Sequence, residues 1–306
     1  MKFIIYPVLA LTLLACSTVK FPAEQEQSIK ETSTKELTTQ EIWENWVNKY
    51  TEGRNSKDGW LSLAGLYWLH ESDNTLGSDE SNQHIFPAGT PDSFGIINIT
   101  KEIVTFTRKN SNIKIDDKNI ESQILVLNET VVSLGSYSFY IIKRERGFAV
   151  RLKNTENPSI AKYEGAKFYP YAQNFVIPAK LVKHKTPQKI NIATVYDTVR
   201  ENDSAGWLEF ELNGETQRLQ AISYGEDSPM SLMFADETGQ VTTYGAGRYL
   251  DVEWPKDGSN MTSINFNYAY NPPCAITPFA TCPLPPMSNR LDINVEAGEK
   301  YLDKTH

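Results

Sequence analysis

Residues 265–300 read NFNYAYNPPCAITPFATCPLPPMSNRLDINVEAGEK, and this stretch decides how the C-terminal half of the chain folds. It contains six of the chain's 16 prolines and two of its three cysteines, Cys274 and Cys282. Proline removes a backbone donor and fixes φ, so neither a helix nor a central strand can run through residues 272–286. Aromatic and aliphatic side chains are interspersed with the prolines, unlike the polar composition of a flexible linker. The stretch therefore predicts a rigid, partly buried loop, which we call the proline loop (residues 272–286).

The spacing of the two cysteines leaves three states open: a disulfide, two free thiols or a metal site. Seven residues separate Cys274 from Cys282, and such a pair lacks the short spacing typical of zinc ligands. None of the four histidines is close to them in the sequence. We expect a structural disulfide, which would contribute about 2.5 kcal/mol in an oxidising compartment. No metal and no cofactor are predicted.

Composition and charge exclude one class of partner. The 306-residue chain is 40% hydrophobic and 11% aromatic, which is sufficient for a packed core. Its formal net charge is −8, whereas binding to nucleic acid needs a basic face that neutralises phosphates. The densest basic cluster, residues 143–146, reads KRER and is interpreted as a solvated hairpin turn. We therefore predict no nucleic-acid partner.

The N-terminus has the features of a bacterial lipoprotein signal. Lys2 precedes an apolar run from Phe3 to Leu14, which is too short to span a bilayer as a helix. The run ends in LLAC, and Cys16 stands where a lipidated cysteine becomes the mature N-terminus. A signal peptide or anchor helix with an incidental cysteine is the alternative. Ser17, rather than Asp, follows the cysteine and favours the outer membrane, so we expect a lipid-anchored protein that faces the periplasm.

The remaining chain divides into a tether and a β-rich domain. Residues 16–38 are mostly Glu, Gln, Lys, Ser and Thr, and they predict a flexible tether after the signal peptide, residues 1–15. Thr38 and Glu41 have the spacing of a capping box, and apolar residues from Ile42 to Tyr50 recur at helical intervals. One amphipathic helix is therefore predicted at the start of a domain that spans residues 39–306. This domain is expected as one unit or as two fused halves that meet near residue 187.

Short apolar or alternating segments after this helix predict strands. Three hairpins are expected, with turns at residues 144–147, at Asn213-Gly214 and at residues 236–239. The last of these joins residues 231–235 to residues 240–244. The fold class is therefore mainly β, with antiparallel sheets in a sandwich or barrel-like arrangement, one N-terminal helix and the proline loop.

Five motifs resemble the domain of unknown function 1684 family. They are WLSLAGLYWL (60–69), FADETGQVTTYGAGRYL (234–250), FNYAYNPPCA (266–275), CPLPPMSNRL (282–291) and AGEK (297–300). The resemblance extends from Trp60 to Lys300 and implies a bacterial or archaeal protein of uncharacterised activity. It brings no catalytic assignment.

Polar residues around the proline loop are the candidates for a ligand site. Arginine forks suit a carboxylate or a phosphate, and asparagines can complete such a site. The candidates are Tyr244, Arg248, Asn267, Asn271, Asn289 and Arg290. The alternative is that these side chains satisfy buried backbone groups of the loop, which has no ladder partner.

Carboxylates near the same loop are the candidates for catalysis. Asp236, Glu296 and Glu299 can serve as general acid and base where two of them lie close together with different pKa values. The sequence therefore supports a protein that binds a small anionic ligand or an envelope partner through its C-terminal half. A carboxylate-based hydrolase that uses Arg248 or Arg290 is the alternative, and a purely structural role in the envelope is a third hypothesis.

Overall fold

The computed structural model describes residues 37–301. From Thr38 onward these residues belong to one compact unit. The predicted signal peptide, the lipidation site Cys16 and most of the predicted tether lie outside the described residues. Among the residues described, no helix combines the length and the apolar composition that crossing a bilayer requires.

The elements are labelled in chain order. The helices are α1 (Thr39–Arg54) and α2 (Pro158–Lys162), and the strands are β1 (Leu63–Trp68), β2 (Ser72–Gly77), β3 (His84–Ile85), β4 (Gly95–Thr100), β5 (Ile103–Arg108), β6 (Lys114–Ile115), β7 (Ser122–Ile124), β8 (Val132–Leu134), β9 (Tyr137–Arg144), β10 (Gly147–Asn154), β11 (Val176–Val182), β12 (Gln188–Ala193), β13 (Val199–Leu212), β14 (Glu215–Ser223), β15 (Met230–Phe234), β16 (Arg248–Val252) and β17 (Met261–Asn265). Five single turns of 3₁₀ helix begin at Trp60, Gln173, Phe266, Pro273 and Met287. The mainly β, antiparallel fold predicted from the sequence is confirmed.

Helix α1 begins at the predicted capping box. Thr38 Oγ1 accepts the N–H of Glu41 at 3.2 Å, and Glu41 Oε2 accepts the N–H of Thr38 at 2.7 Å. These reciprocal bonds satisfy two backbone donors that the first turn would leave free. The indole of Trp43 is buried and donates to the carbonyl of Asn267 at 2.9 Å. The helix is therefore fixed to the C-terminal part of the domain.

The first half of the domain is a β-sandwich. One five-stranded sheet has the order β1-β10-β9-β8-β6 and the other β3-β2-β4-β5-β7. All these strand pairs are antiparallel except the short pair of β2 and β3. Between the sheets lies a core that includes the fully buried Phe94, Phe106 and Phe139. The predicted hairpin at residues 144–147 is confirmed as the connection between β9 and β10.

The second half is a seven-stranded sheet. Its order is β16-β15-β14-β13-β11-β17, and β12 pairs with one end of the long β13. Asn213 and Gly214 have φ values of +56° and +81°, which is the backbone that a two-residue hairpin turn requires. This confirms the predicted hairpin between β13 and β14. The sheet covers a second core that includes Phe210, Phe234 and Phe266.

The hairpin predicted around residues 236–239 is wrong. Strand β15 pairs with β16 instead, and residues 240–244 form no strand. The carbonyl of Thr238 accepts the N–H groups of Val241, Thr242 and Thr243 at 3.0 to 3.1 Å, which closes a compact turn. These bonds satisfy the backbone donors that a second strand would have used.

The proline loop lies between the two halves, as a fixed part of the molecule. The N–H of Val195 donates to the carbonyl of Cys282 at 3.0 Å, and the N–H of Leu284 donates to the carbonyl of Ala193 at 2.7 Å. These bonds attach the end of the loop to the connection between β12 and β13. On the other side, Thr281 contacts arginines of β9 and β10, which belong to the sandwich. The loop is thus rigid and partly buried, as the sequence predicts.

Candidate functional site

Arg248 and Asp236 form a buried ion pair that braces the end of the chain. Arg248 is the first residue of β16, and its side chain is fully buried. Its guanidinium lies 2.9 Å from Asp236 Oδ1 and donates to the carbonyls of Val295, at 3.0 Å, and Ala297. Asp236 Oδ2 accepts the N–H of Val295 at 2.9 Å and the hydroxyl of Thr238 at 2.7 Å. Arg248 is thus enclosed by protein groups, and its Nε is a buried donor without a partner among the described residues.

Two of the candidate asparagines satisfy backbone groups. Asn267 exchanges two bonds of 2.9 Å with the N–H and the carbonyl of Ala172. Asn289 accepts the N–H of Gln220 at 2.7 Å and donates to the carbonyls of Gln220 and Met233, both at 2.9 Å. Both side chains are buried. These contacts match the alternative in which the asparagine side chains satisfy buried backbone groups that no neighbouring strand pairs with.

The remaining candidates lie in different surroundings. Arg290 is half-exposed and lies 3.4 Å from Glu237, and Glu296 is exposed. Tyr244 donates to the carbonyl of Cys274 at 3.4 Å. The structure therefore does not bring the predicted residues together around one open cavity. Their ligand-binding and catalytic roles stay predictions, and so does the hydrolase, since Asp236, Glu296 and Glu299 each have separate surroundings.

Glu299 belongs to a buried polar cluster that helix α1 completes. Its Oε2 accepts the hydroxyl of Tyr50 at 2.6 Å and the N–H of Asn271 at 2.7 Å, and it lies 3.6 Å from Arg54 Nη2. Arg54 also donates to the carbonyl of Asn271. Burial raises the pKa of the Glu299 carboxyl, and the nearby Arg54 opposes this shift. The cluster ties the end of α1 to the end of the domain.

Three buried polar atoms in this region have no hydrogen-bond partner within the described residues. They are Arg54 Nη1, Tyr163 Oη and Asn271 Oδ1. The first is a donor, the third is an acceptor and the hydroxyl can be either. A water molecule satisfies such a mixture, so these atoms by themselves do not indicate an anion.

Cys274 and Cys282 are neighbours and are free thiols in this structure. The N–H of Cys274 donates to Cys282 Sγ at 3.1 Å. Cys274 is half-buried, whereas Cys282 is 4% exposed. The structural disulfide therefore stays a prediction, but the two residues lie side by side as it requires.

A second group of arginines lies where the sandwich meets the proline loop. Arg144 Nε and Arg151 Nη2 both point to Thr281 Oγ1, at 3.4 Å and 3.5 Å. Arg144 is the last residue of β9 and Arg151 lies in β10. Both occupy the outer face of the sheet, beside the fully buried Ile142 and Ala149. We call Arg144, Arg151 and Thr281 the arginine site.

Within the described part of the chain, the arginine site has no ion pair of its own. Within residues 37–301, neither Arg144 nor Arg151 forms an ion pair with a carboxylate, and the nearby Glu145 is paired with Arg200 at 2.6 Å. Burial lowers the pKa of Arg144, the positive charges of Arg151 and Arg200 lower it further, and the negative charge of Glu145 opposes these shifts. Arginine nevertheless stays charged at neutral pH. The site therefore holds two adjacent cations that attract an anion.

Two buried hydrogen-bond donors at the arginine site also have no partner among the described residues. Arg151 is 5% exposed, and its Nε is buried without a partner among the described residues. Trp68 Nε1, on the neighbouring strand β1, is also buried without a partner there. Both atoms can only donate, so the group that would satisfy them is an acceptor. This distinguishes the arginine site from the cluster around Glu299.

Aromatic side chains lie against Arg151 of the arginine site and against the neighbouring Arg146. The Arg151 guanidinium lies 5.4 Å from the centre of the Trp60 ring, and the Arg146 guanidinium lies 5.5 Å from that of Trp68. Trp68 and Tyr196 make an edge-to-face contact with centroids 5.6 Å apart. The two cation–π contacts stabilise the side chains of Arg151 and Arg146.

Interpreting residues 143–146 as a solvated hairpin turn missed the arginine site. The hairpin exists, but Arg144 is only partly exposed. A usable signal was present: Ile141 and Ile142 are consecutive apolar residues in one strand, so they face opposite sides. Both are fully buried, which shows that both faces of the sheet are covered. A polar residue on the second face, such as Arg144 or Arg151, is then a candidate for an interior site.

Two open pockets lie elsewhere in the domain. One, of about 290 Å³, is bordered by Leu61, Asn157 and Phe279. The other, of about 490 Å³, is bordered by Leu181 and Trp254. None of the residues singled out from the sequence for binding or catalysis lines either pocket.

Residues 161–300 match the family model DUF1684. The family is described as a protein of unknown function. This match supports the resemblance seen in the four C-terminal motifs and does not extend to residues 60–69. No curated protein matches the chain.

Solved structures show weaker likenesses. An uncharacterized protein of Haloarcula marismortui, determined by solution NMR, is 29% identical over 46% of this chain and 78% of that chain, with a TM-score of 0.39. An FHA-domain structure from a study of phosphothreonine-dependent interactions is 16% identical over 28% of this chain and 81% of that chain, with a TM-score of 0.22. Scores at this level carry no argument about ligand or mechanism.

The segment that matches the family model contributes one part of the arginine site. Thr281 lies inside the matched residues 161–300, whereas Arg144 and Arg151 lie before them. The brace formed by Asp236 and Arg248 lies wholly inside. The site thus depends on the contact between the matched segment and the preceding β-sandwich.

Proposed function

We propose that this protein binds a small oxyanion at the arginine site. The observation that carries the proposal is that Arg144 and Arg151 converge on the hydroxyl of Thr281 with no carboxylate partner among the described residues. The anionic ligand expected from the sequence is retained, but its position moves from Arg248 and Arg290 to these residues.

The energetic reason is the cost of burying an unpaired cation. Removing a charged group from water is expensive unless a counter-charge and hydrogen bonds replace the lost hydration. Arg151 lacks both a carboxylate partner and an acceptor for Nε within the described residues. An oxyanion would supply both, because its oxygens accept charge-assisted bonds from two guanidinium groups.

The geometry indicates a single oxyanion group. Both guanidinium groups lie within 3.5 Å of one oxygen, Thr281 Oγ1, so they are close enough to share one anion. Phosphate, sulfate and carboxylate have this chemistry in common. Since the protein carries a net charge of −8, the local attraction must act at short range, and salt should weaken it.

Isothermal titration calorimetry of the full chain tests the proposal, with inorganic phosphate, sulfate and succinate as separate probes in a chloride buffer. Arg151→Gln should weaken binding of the best probe at least about tenfold, because a charge-assisted bond to a buried group is lost. Arg290→Gln is the matched control, since it removes the same charge from a half-exposed position and should leave the affinity within about twofold.

The choice of probe also distinguishes the sources of the anion. Stronger binding of phosphate than of succinate indicates phosphate esters, and the reverse order indicates carboxylates. If Arg151→Gln does not fold, as judged by circular dichroism, Thr281→Val replaces it and should also weaken binding. Absence of binding for all three probes up to about 10 mM, or equal affinity in wild type and folded Arg151→Gln, would overturn the proposal.

We further propose that the protein is anchored to a membrane by a lipid on Cys16. The support is the apolar run from Phe3 to Leu14 followed by LLAC. Acyl chains bind a bilayer with about 0.8 kcal/mol for each buried methylene group, so several chains give a stable anchor. Cys16→Ser should move the protein from the membrane fraction to the soluble fraction. A variant that stays tightly membrane-bound would contradict the lipid anchor.

A further inference from the structure

The two cysteines of the proline loop lie next to the arginine site. Cys282 directly follows Thr281, whose hydroxyl contacts Arg144 and Arg151. Cys274 lies in the 3₁₀ turn Pro273–Ala275, and its N–H donates to Cys282 Sγ at 3.1 Å. A change in the bonding of the two sulfurs therefore acts on the residue that both arginines contact.

The two thiols have different environments. Cys274 is half-buried and Cys282 is buried. A hydrogen bond from the Cys282 side chain lowers the pKa of the Cys274 thiol, and the same interaction together with burial raises the pKa of Cys282. Cys274 is therefore the thiol that an external reagent can reach and that ionises first.

We propose that Cys274 and Cys282 are a redox-active dithiol, which low-molecular-weight disulfides oxidise to a disulfide, and that this oxidation tightens anion binding at the arginine site. The effect on binding rests on the function proposed above. The oxidation itself does not.

The reaction proceeds by two thiol–disulfide exchanges. The Cys274 thiolate attacks one sulfur of the reagent, forming a mixed disulfide and releasing the first reagent thiol. Cys282 then loses its proton and attacks the Cys274 sulfur, which forms the internal disulfide and releases the second thiol. The protein loses two electrons and two protons, and the reagent disulfide gains both to become two thiols.

Both ends of the closed loop are already fixed. The carbonyl of Cys282 accepts the N–H of Val195 at 3.0 Å, and the 3₁₀ turn holds Cys274, with the N–H of Thr277 donating to the carbonyl of Pro273 at 3.1 Å. These ends are held by hydrogen bonds, so a covalent link between them restricts the segment that carries Thr281 more strongly. A preorganised acceptor and donor set binds its ligand with less loss of conformational entropy. Oxidation should therefore strengthen binding rather than abolish it.

The test uses the full chain in a reduced and an oxidised form, the latter prepared with oxidised glutathione. Peptide mass mapping without reductant should find Cys274 linked to Cys282, and the phosphate dissociation constant should be about fivefold smaller in the oxidised form. Cys274→Ala should bind phosphate equally under both treatments. It retains Cys282, so it controls for reactions of that thiol alone.

Three results would count against the proposal in different ways. Absence of the linked peptide after oxidation would refute the dithiol. Equal phosphate affinity in both forms of the wild type would refute its effect on the arginine site. A linked peptide without phosphate, sulfate or succinate binding in either form would refute the anion site, and with it the coupling, while the oxidation would stand.

Discussion

Replacing Arg248 by methionine removes the brace between β16 and the end of the domain. The buried carboxylate of Asp236 loses its counter-charge at 2.9 Å, and the carbonyls of Val295 and Ala297 lose a donor. Breaking a buried ion pair by removing one partner costs about 4 kcal/mol. For a domain of this size that corresponds to a decrease in melting temperature of about 10 °C.

Burial explains why Arg248→Met should lower the free energy of unfolding. It lowers the pKa of Arg248, whereas Asp236 favours the charged form. The carboxylate left behind by Arg248→Met still accepts bonds from Thr238 and Val295, but it has no cation near it among its known contacts. Adding Asp236→Asn should therefore recover part of the loss, with a coupling energy of about 2 kcal/mol.

Urea unfolding monitored by tryptophan fluorescence measures these free energies of unfolding. Arg290→Met is the matched control, because its ion pair with Glu237 is half-exposed and should contribute less than about 1 kcal/mol. A free energy of unfolding for Arg248→Met within about 1 kcal/mol of wild type would refute the assignment of Arg248 as a buried brace.

Two further predictions concern buried polar side chains of the same region. Burial raises the pKa of Glu299 above 4.5. Above pH 4.5 the folded state therefore still binds a proton that the unfolded state has lost. The contribution of Glu299 to stability should fall as pH rises from 4.5 through its raised pKa. The free energy of unfolding, measured against pH, should show this fall in wild type but not in Glu299→Gln. The exposed Glu296→Gln should behave as wild type does. Parallel pH curves for wild type and Glu299→Gln would contradict the raised pKa of Glu299. Asn289→Ala should lower the free energy of unfolding by about 3 kcal/mol, because it orphans three backbone groups that the side chain now satisfies. The exposed Asn294→Ala should stay within about 0.5 kcal/mol of wild type, and an equally small effect of Asn289→Ala would show that water replaces the side chain.

Local signals explain why parts of the fold could be predicted. The capping box of Thr38 and Glu41 and the Asn213-Gly214 turn depend on the geometry of a few consecutive residues. Both therefore appear in the structure where the sequence places them. The hairpin at residues 236–239 failed because Asp236 bonds to residues near position 295, which are far away in the sequence.

In the candidate site, too, local sequence predicted some features and contacts between distant residues decided the others. The sequence identified the polar residues around the proline loop but could not tell a brace from a ligand contact. Arg248 and Arg290 are the same residue type near the same loop, yet one is fully buried and the other is half-exposed. Burial depends on which strand covers which face, and that is a property of the assembled sheets.

The sequence by itself determined the β-rich class, the capped helix and the absence of an α-helix or strand in the proline loop, because proline chemistry, turn residues and side-chain periodicity act locally. Only the tertiary structure decided that Thr281 lies beside Arg144 and Arg151, which are at least 130 residues away in the chain. No local rule connects residues at that distance. They meet because the proline loop packs against strands β9 and β10, where Thr281 contacts both arginines.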